Sequence, residues 1–209
     1  TLSDEFSGIL DQLEYTSDQL FITGRAGTGK STLLQVFRST TRKKVVVLAP
    51  TGIAALNVRG QTIHSFFGFP PRLLNSNEIE KRANNRMYKN LDMIIIDEIS
   101  MVRADILDNI DLFLRKNRGD HRPFGGVQMV FFGDLFQLPP VVSTPFEKNY
   151  FSTVYATPYF FSARVVSQIS LKMLELTTVY RQEERMFVNL LDNIRLASVD
   201  YEDFIALNN

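Results

Sequence analysis

The chain has 209 residues, of which 44% are apolar and 22% charged, so it is neither disordered nor fibrous and is long enough for one sizeable α/β domain. It has no cysteine and only two histidines, which excludes disulfides and thiolate metal sites and disfavours a structural zinc site. Basic and acidic residues both total 23, so any contact with a polyanion must depend on a local group of side chains.

The apolar runs have the length of strands rather than of membrane spans. Residues 93–96 and 127–132 are too short to cross a bilayer, and the amino terminus has no signal-peptide pattern. We therefore expect an intracellular protein without membrane contact, in the cytoplasm if it is bacterial and in the nucleus or mitochondrion if it is eukaryotic.

Helical and strand patterns alternate along the chain. In chain order they predict a helix over 4–15, a strand over 19–23, a helix from Lys30 to about Ser39, a strand over 45–49, a short helix over 52–58, a strand over 91–97, a helix marked by Val102 to Leu114, and strands over 127–133 and 171–179. We expect residues 68–90 to form an exposed insertion and residues 134–165 to form long loops with short helices. This alternation predicts an α/β fold in which helices sandwich a parallel sheet.

A glycine-rich segment joins the first predicted strand to the helix that begins at Lys30. Residues 24–31 read Gly-Arg-Ala-Gly-Thr-Gly-Lys-Ser, which fits the phosphate-binding pattern G-x-x-x-x-G-K-[ST]. Without Cβ atoms the glycines let backbone N–H groups point at phosphate oxygens, while Lys30 contacts the β- and γ-phosphates and Ser31 ligates Mg²⁺. A turn that only caps a helix is the alternative, which the strand–loop–helix context disfavours. The residues expected to hold ATP are Gly24, Arg25, Ala26, Gly27, Thr28, Gly29, Lys30, Ser31 and Thr32.

Two carboxylates follow the apolar strand that begins near Met93. Parallel sheets place ligands at the carboxyl ends of their strands, so Asp97 and Glu98 are expected beside the glycine loop. There Asp97 can hold Mg²⁺ through water, and Glu98 can position and deprotonate the attacking water. Acidic residues are also favoured in the first turn of a helix, so helix capping is the alternative for this pair alone.

Several strings beyond these two motifs occur in a specific order. They are Ala49-Pro50-Thr51-Gly52-Ile53-Ala54-Ala55, Gly60-Gln61-Thr62-Ile63-His64-Ser65-Phe66-Phe67, Ile96-Asp97-Glu98-Ile99-Ser100-Met101, Gly133-Asp134-Leu135-Phe136-Gln137-Leu138-Pro139-Pro140, Val179-Tyr180-Arg181-Gln182 and Asn193-Ile194-Arg195. Over nearly the whole chain they closely resemble the Pif family of superfamily 1 DNA helicases, which is related to RecD. The resemblance implies a RecA-like P-loop NTPase fold, hydrolysis of ATP with Mg²⁺, and movement on single-stranded DNA from 5′ to 3′.

The resemblance also implies two further residues at the site of hydrolysis. Gln137 follows a strand end beside the nucleotide, where its amide would contact the γ-phosphate and the water. Arg181 is similar to the arginine that reaches the γ-phosphate and stabilises the transition state in the family. Taken alone, residues 133–140 would be a Gly-Asp turn followed by a proline stop. Arg181 alone would be a surface residue at the start of a helix.

The resemblance assigns a single-strand path to residues of two motifs, namely Thr51, Gly52, Thr62, His64 and Ser65. Hydroxyl and backbone N–H groups at such positions bind phosphates without reading sequence. Phe66, with Phe67 and Phe69, offers faces for base stacking, although an aromatic cluster is more often part of a core. For His64, a structural histidine that bridges loops is the alternative to a DNA contact.

The chain departs from the family in two respects. Many members carry a glutamine that reads adenine after an acidic pair near the amino terminus, whereas Phe6 follows Asp4 and Glu5 here, which leaves Gln12 or Gln19 as substitutes. The later helicase motifs do not appear before Asn209. We therefore expect residues 1–178 to form the first motor domain and residues 179–209 to begin a second, truncated one, in a protein that acts as a monomer.

Three functions remain open from the sequence. The first is the motor domain of a DNA helicase, with roles in DNA repair, recombination or telomere maintenance implied by the resemblance. The second is a P-loop ATPase that serves as a switch or in another remodelling task without DNA. The third is an interaction module that keeps the fold but does not turn over nucleotide. Stimulation of hydrolysis by single-stranded DNA separates the first function from the other two.

Overall fold

A computed structural model of the chain describes residues 4–178. The helices are α1 (Asp4–Tyr15), α2 (Lys30–Thr40), α3 (Gly52–Asn57), α4 (Ile63–Phe67), α5 (Arg86–Asn90), α6 (Ala104–Arg118) and α7 (Pro145–Val154). The strands are β1 (Gln19–Gly24), β2 (Val45–Ala49), β3 (Gln61–Thr62), β4 (Met93–Ile96), β5 (Gln128–Phe132) and β6 (Leu171–Leu176). Within 4–178, no helix is long and apolar enough to span a bilayer.

The strands form one sheet in the order β3-β2-β4-β5-β1-β6, and every pairing described is parallel. Successive side chains of a strand point to opposite faces, so each strand contributes to two cores. Phe21 and Ile94 pack with α4 and α6 on one face, whereas Ile22 and Ile95 pack with α1 and α2 on the other. The predicted α/β fold, with a parallel sheet between helices, is therefore confirmed.

Four strands bring their following loops to one edge of the sheet. In spatial order these are β2, followed by Pro50 and Thr51; β4, followed by Asp97; β5, followed by Gly133; and β1, followed by the glycine loop. Because the strands are parallel, all of these loops leave at the carboxyl edge. The motifs found in the sequence are thus neighbours in the fold.

Several elements differ from the predicted ones. The strand predicted over 171–179 ends at Leu176, and β3 and α4 occupy residues that were given no element. Residues 134–165 contain α7, a ten-residue helix with a capping box between Thr144 and Glu147. Residues 68–90 hold a 3₁₀ turn over Ser76–Glu78 and the short helix α5 outside the sheet, although Ile79 and Tyr88 are buried.

Candidate nucleotide and nucleic-acid site

The glycine loop after β1 is a tight turn that only glycine accommodates at several positions. Gly27 and Gly29 have φ of 81° and 87°, in the left-handed region. A Cβ on Gly24 would lie 2.7 Å from both the hydroxyl of Thr28 and the carbonyl oxygen of Leu176. Thr28 itself is fully buried and its hydroxyl donates to the carbonyl of Arg25 at 2.9 Å. The loop is thus shaped by its own backbone, as a phosphate cradle requires.

Lys30 opens α2 and turns its ammonium group back onto the loop. Nζ donates hydrogen bonds to the carbonyl oxygens of Gly24 and Arg25, the latter at 3.1 Å. Ser31 and Thr32, the next residues of α2, are exposed. A cation and a hydroxyl therefore stand together where the loop meets the helix, in the arrangement that the phosphate-binding motif predicts.

Asp97 and Glu98 leave the end of β4 at the same edge. The N–H of Asp97 donates to the carbonyl of Leu48 at 2.8 Å, which extends the sheet by one bond. Glu98 has φ of 52°, a left-handed conformation that costs a non-glycine residue free energy. Burial, and next the carboxylate of Glu98, raise the pKa of Asp97 to about 6, while Lys30 acts in the opposite sense.

The donor set at this edge fits Mg²⁺ rather than a metal held entirely by protein. Within residues 4–178, no group of three or more histidine, cysteine or acidic side chains is placed to hold a metal. Mg²⁺ typically takes only one or two protein oxygens and fills its shell with water and phosphate oxygens. Asp97, which is partly buried at the end of β4, and the exposed hydroxyl of Ser31 are the groups that would hold it.

Gln137 lies in the loop that follows β5, between the acidic pair and the glycine loop. Its side chain is exposed and its N–H donates to the carbonyl of Asp134 at 3.0 Å. Asp134 is 1% exposed and accepts the N–H of Phe136, so it fixes the turn that presents Gln137. A Cβ on Gly133 would lie 2.9 Å from Ile99, which brings this loop against the backbone just after Glu98.

The residues predicted to line the single-strand path cluster beyond the acidic pair. The hydroxyls of Thr51 and Thr62 accept the N–H groups of Ala54 and Ser65, and so cap α3 and α4. Gly52 and Ser65 are exposed, and Thr51 and Thr62 are partly exposed. The structure brings these residues together at the β2 and β3 end of the carboxyl edge, so the geometry permits a shared contact with a backbone ligand.

Base stacking by the phenylalanine cluster was the wrong alternative. Phe66 and Phe69 are each 7% exposed and Phe67 is fully buried. Phe66 packs edge-on against Phe67 and Tyr88, so no ring face is presented to a base. These aromatic rings form the core beneath α4, and Phe66 is corrected from a candidate DNA contact to a packing residue.

His64 and Arg103 line the same cavity. The imidazole is half-buried, and burial, followed by the nearby guanidinium of Arg103, lowers its pKa, so the ring is neutral near pH 7. Arg103 is bound to Asp105 at 2.8 Å and to Glu147 at 2.8 Å. The sequence did not reveal this arginine, because nothing in the spacing of residues 103, 105 and 147 shows that α6 and α7 meet.

The remaining predictions concern Gln19, Phe6 and Arg181. Gln19 cannot replace the adenine-reading glutamine, since its amide oxygen accepts the N–H of Met129 at 2.6 Å, at the opposite end of the sheet. Phe6 is buried in the core between α1 and α2. Arg181 lies outside the described residues, as does the segment 179–209 that was assigned to a second domain.

The parallel sheet and the glycine loop at its carboxyl edge define a RecA-like P-loop nucleoside triphosphatase fold. The model of the PIF1-like helicase family matches residues 1–203. The chain belongs to that family. This confirms the family resemblance inferred from the motif strings.

Relatives and solved structures agree with this assignment. The chain is 35% identical over 212 residues to the ATP-dependent DNA helicase PIF1 of Saccharomyces cerevisiae strain YJM789, covering 96% of this chain and 24% of the relative. It is 36% identical over 203 residues to the human ATP-dependent DNA helicase PIF1, covering 93% of this chain and 30% of the relative. A Bacteroides Pif1 helicase in complex with ADP-AlF3 and single-stranded DNA superimposes with a TM-score of 0.89 at 40% identity, covering 97% of this chain and 48% of that one. The chain thus spans about half of the solved structure and less than a third of these two curated relatives.

Proposed function

We propose that this chain is the first motor domain of an ATP-dependent DNA helicase. ATP and Mg²⁺ would bind at the ends of β1 and β4, and single-stranded DNA at the ends of β2 and β3. The observation that carries the proposal is the order of the strands, which sets the phosphate loop, the acidic pair and the threonine cluster side by side at one edge. The solved complex of a Bacteroides relative with ADP-AlF3 and single-stranded DNA supports both ligands.

The residues of this chain suggest a division of labour in hydrolysis. Lys30 would release the loop carbonyls and bind the β- and γ-phosphates, whose oxygens replace those carbonyls as acceptors. Glu98 would accept the proton of the attacking water, and Gln137 would orient that water against the γ-phosphate. Mg²⁺, held by Ser31 and Asp97, would supply positive charge to the phosphates. Arg181 would add a second cation during transfer.

The proposal includes finer statements about the whole protein. Movement would run from 5′ to 3′, the active unit would be a monomer, and residues 179–209 would begin the second motor domain that completes the site. The roles in DNA repair, recombination or telomere maintenance belong to the same proposal. A solved structure of relatives shows two coordinating Pif1 helicases at forked double-stranded DNA. The proposal that this protein acts as a monomer therefore needs a direct test.

The test is ATP turnover by the protein that contains this chain, with and without a single-stranded oligonucleotide. We expect the strand to stimulate turnover severalfold and expect unwinding of a duplex with a 5′ tail but not one with a 3′ tail. The Lys30→Ala protein is the matched control for contaminating ATPase. If the oligonucleotide does not change the rate of ATP turnover, the result would instead support a nucleotide switch that does not act on DNA.

A further inference from the structure

A cavity of about 300 Å³ opens beside the predicted DNA contacts Thr51 and His64. Its walls come from the loop after β2, the first turn of α4, the segment that joins β4 to α6, and the loop before α7. All of these lie at or near the carboxyl edge of the sheet. Thr51 and His64 line the cavity themselves, but its apolar side chains have no part in the hydrolysis of ATP or in the phosphate contacts proposed above.

The floor of the cavity is apolar and rigidly held. Ile63 is 1% exposed, Val102 2% and Ile106 4%, so these side chains are locked in the core rather than free to fill the space. Arg103 forms one wall and is fixed by Asp105, by Glu147 and by its position over the ring of Phe151, 5.5 Å from the ring centroid. The cavity is therefore preformed. Its volume lies at the low end of the range for small-ligand pockets, which suits a single flat heterocycle.

The charges around the cavity favour a neutral ligand over an anion. Two arginines line the cavity, and both are paired: Arg103 with the carboxylates of Asp105 and Glu147, and Arg72 with that of Glu78 at 2.5 Å. The lowered pKa of His64 leaves its ring uncharged at neutral pH. A phosphate or an acidic side chain would find no net attraction here. An aromatic base would bury its faces against the floor and reach polar groups at the rim.

We propose that this cavity receives one unstacked nucleobase of the single strand whose phosphates pass Thr51 and Thr62. This inference rests on the proposed DNA contact and deepens it. The cavity offers an apolar floor and few fixed donors, so it should hold any of the bases with little discrimination. The consequence is that the strand is held by a base as well as by its backbone, at a fixed position beside the nucleotide site.

Methyl NMR of the 209-residue chain tests this directly. With ¹³C-labelled methyls, Met101, Ile63 and Ile106 report on the cavity, while the backbone N–H signals of Gly52 and Ser65 report on the phosphate path. An eight-residue thymidine oligonucleotide should shift both sets of signals. An eight-residue oligonucleotide of abasic sugar phosphates should shift only the N–H signals and should bind about tenfold more weakly.

Two matched variants sharpen the test. Val141 lies at the lip of the cavity and is 67% exposed, and Leu138 in the same loop is 66% exposed but does not line it. Val141→Phe should block the cavity and reduce the advantage of the normal over the abasic oligonucleotide to less than twofold. Leu138→Phe should leave that advantage unchanged, and it controls for stacking by an added ring.

The outcomes distinguish a failure of the base pocket from a failure of the DNA contact on which it rests. If the thymidine oligonucleotide shifts the N–H signals but not the methyls, the strand binds and the base pocket is wrong. If the abasic oligonucleotide shifts the methyls equally, the cavity holds sugar or phosphate, which also overturns the inference. If neither set moves at millimolar oligonucleotide, the proposed DNA contact itself fails and the pocket fails with it.

Discussion

Lys30 can donate its hydrogen bonds either to the loop carbonyls or to the phosphates of a nucleotide. Its substitution should therefore have a measurable effect on ATP binding. Its ammonium now bonds the carbonyls of Gly24 and Arg25, which the phosphates of a bound nucleotide would replace. We expect Lys30→Ala to weaken ATP binding by about 10- to 100-fold, the value of one or more lost charge-assisted hydrogen bonds. Fluorescence titration with a labelled ATP analogue measures the change.

The fold should survive this substitution. Lys30 packs at the start of α2 rather than in the core, so the free energy of unfolding should change by less than about 1 kcal/mol. Lys148→Ala, at an exposed position of α7, is the matched loss of a lysine elsewhere. A folded Lys30→Ala chain that binds ATP as tightly as the Lys148→Ala chain would contradict the phosphate-loop assignment.

Asp97 and Glu98 are adjacent carboxylates with different predicted tasks. In the protein that contains this chain, Glu98→Gln should preserve ATP affinity but slow turnover by about 10²- to 10⁴-fold, since the amide keeps the shape and cannot accept a proton. Asp97→Asn should chiefly raise the Mg²⁺ concentration needed for half-maximal turnover. Steady-state assays across a Mg²⁺ titration distinguish the two effects. If both variants behave as the unmodified protein does, the end of β4 is not the catalytic edge.

At the residue scale, the sequence predicted the positions of the motifs better than it predicted burial. The glycine loop and the acidic pair carry motifs whose spacing the chemistry itself dictates, so their positions at the sheet edge followed from the strands alone. Phe66 could not be assigned in this way, because a phenylalanine suits a core and a stacking face equally well. Only the packing of Tyr88 and Phe67 against it decides between the two.

At the scale of elements, α7 is held at its first turn by a single carboxylate. Glu147 accepts the N–H groups of Ser143 and Thr144 and also binds Arg103 of the cavity wall. The N–H of Thr144, then that of Ser143 and the Arg103 charge, outweigh burial and hold the pKa of Glu147 at about 2. A folded-state pKa below the unfolded value of 4.5 means that this stabilisation is present above about pH 4.5 and fades as the pH falls towards 2.

Glu147→Gln should therefore destabilise the chain in a pH-dependent way. At pH 7 we expect a loss of about 1 kcal/mol in the free energy of unfolding, typical for a helix cap. At pH 3 the difference between the two proteins should shrink, because the native carboxylate is then losing its advantage. Urea unfolding at both pH values measures this difference, with Glu175→Gln at an exposed position of β6 as the control. An equal difference at pH 7 and pH 3 would argue against the charged cap.

Elements with long apolar runs were predicted from the sequence, whereas helices that begin at a capping side chain were missed. The four central strands are buried along most of their lengths and were predicted within two residues at each end. In contrast, α4 follows β3 without a break, and it begins because the Thr62 hydroxyl caps Ser65. Likewise α7 lies in a segment rich in proline and aromatic residues, where the capping box of Thr144 and Glu147 was overlooked.

At the scale of the whole molecule, the parallel sheet explains why so much of the site was predictable. Once the strands alternate with helices, parallel pairing carries every strand-end motif to the same edge, whatever the details of the loops. The cavity beside His64 was not predictable. It depends on how residues 71–72, the segment after Glu98 and the loop before α7 meet, and these are distant in sequence and carry no shared pattern.

The last prediction concerns the ATP turnover and duplex unwinding that the 209-residue chain can carry out by itself. In the proposed mechanism, one side of the nucleotide is formed by Lys30, Ser31, Asp97, Glu98 and Gln137. The chain covers only 48% of the solved Bacteroides Pif1 chain, which is in complex with ADP-AlF3 and single-stranded DNA. The proposed mechanism needs cations on the opposite side as well, and one such group is worth roughly 10³- to 10⁵-fold in phosphoryl transfer.

We therefore expect the 209-residue chain to bind ATP, to hydrolyse it slowly and to leave duplex DNA intact. Its affinity for single strands should also be weak, since a net charge of zero adds no general attraction to the local contacts. Turnover and unwinding of a tailed duplex should be compared between this chain and a protein that carries it together with the proposed second motor domain, at equal concentrations and at low salt. Because stepping along DNA requires two motor domains to close and open around ATP, strand separation or equal turnover by the 209-residue chain would overturn the two-domain mechanism.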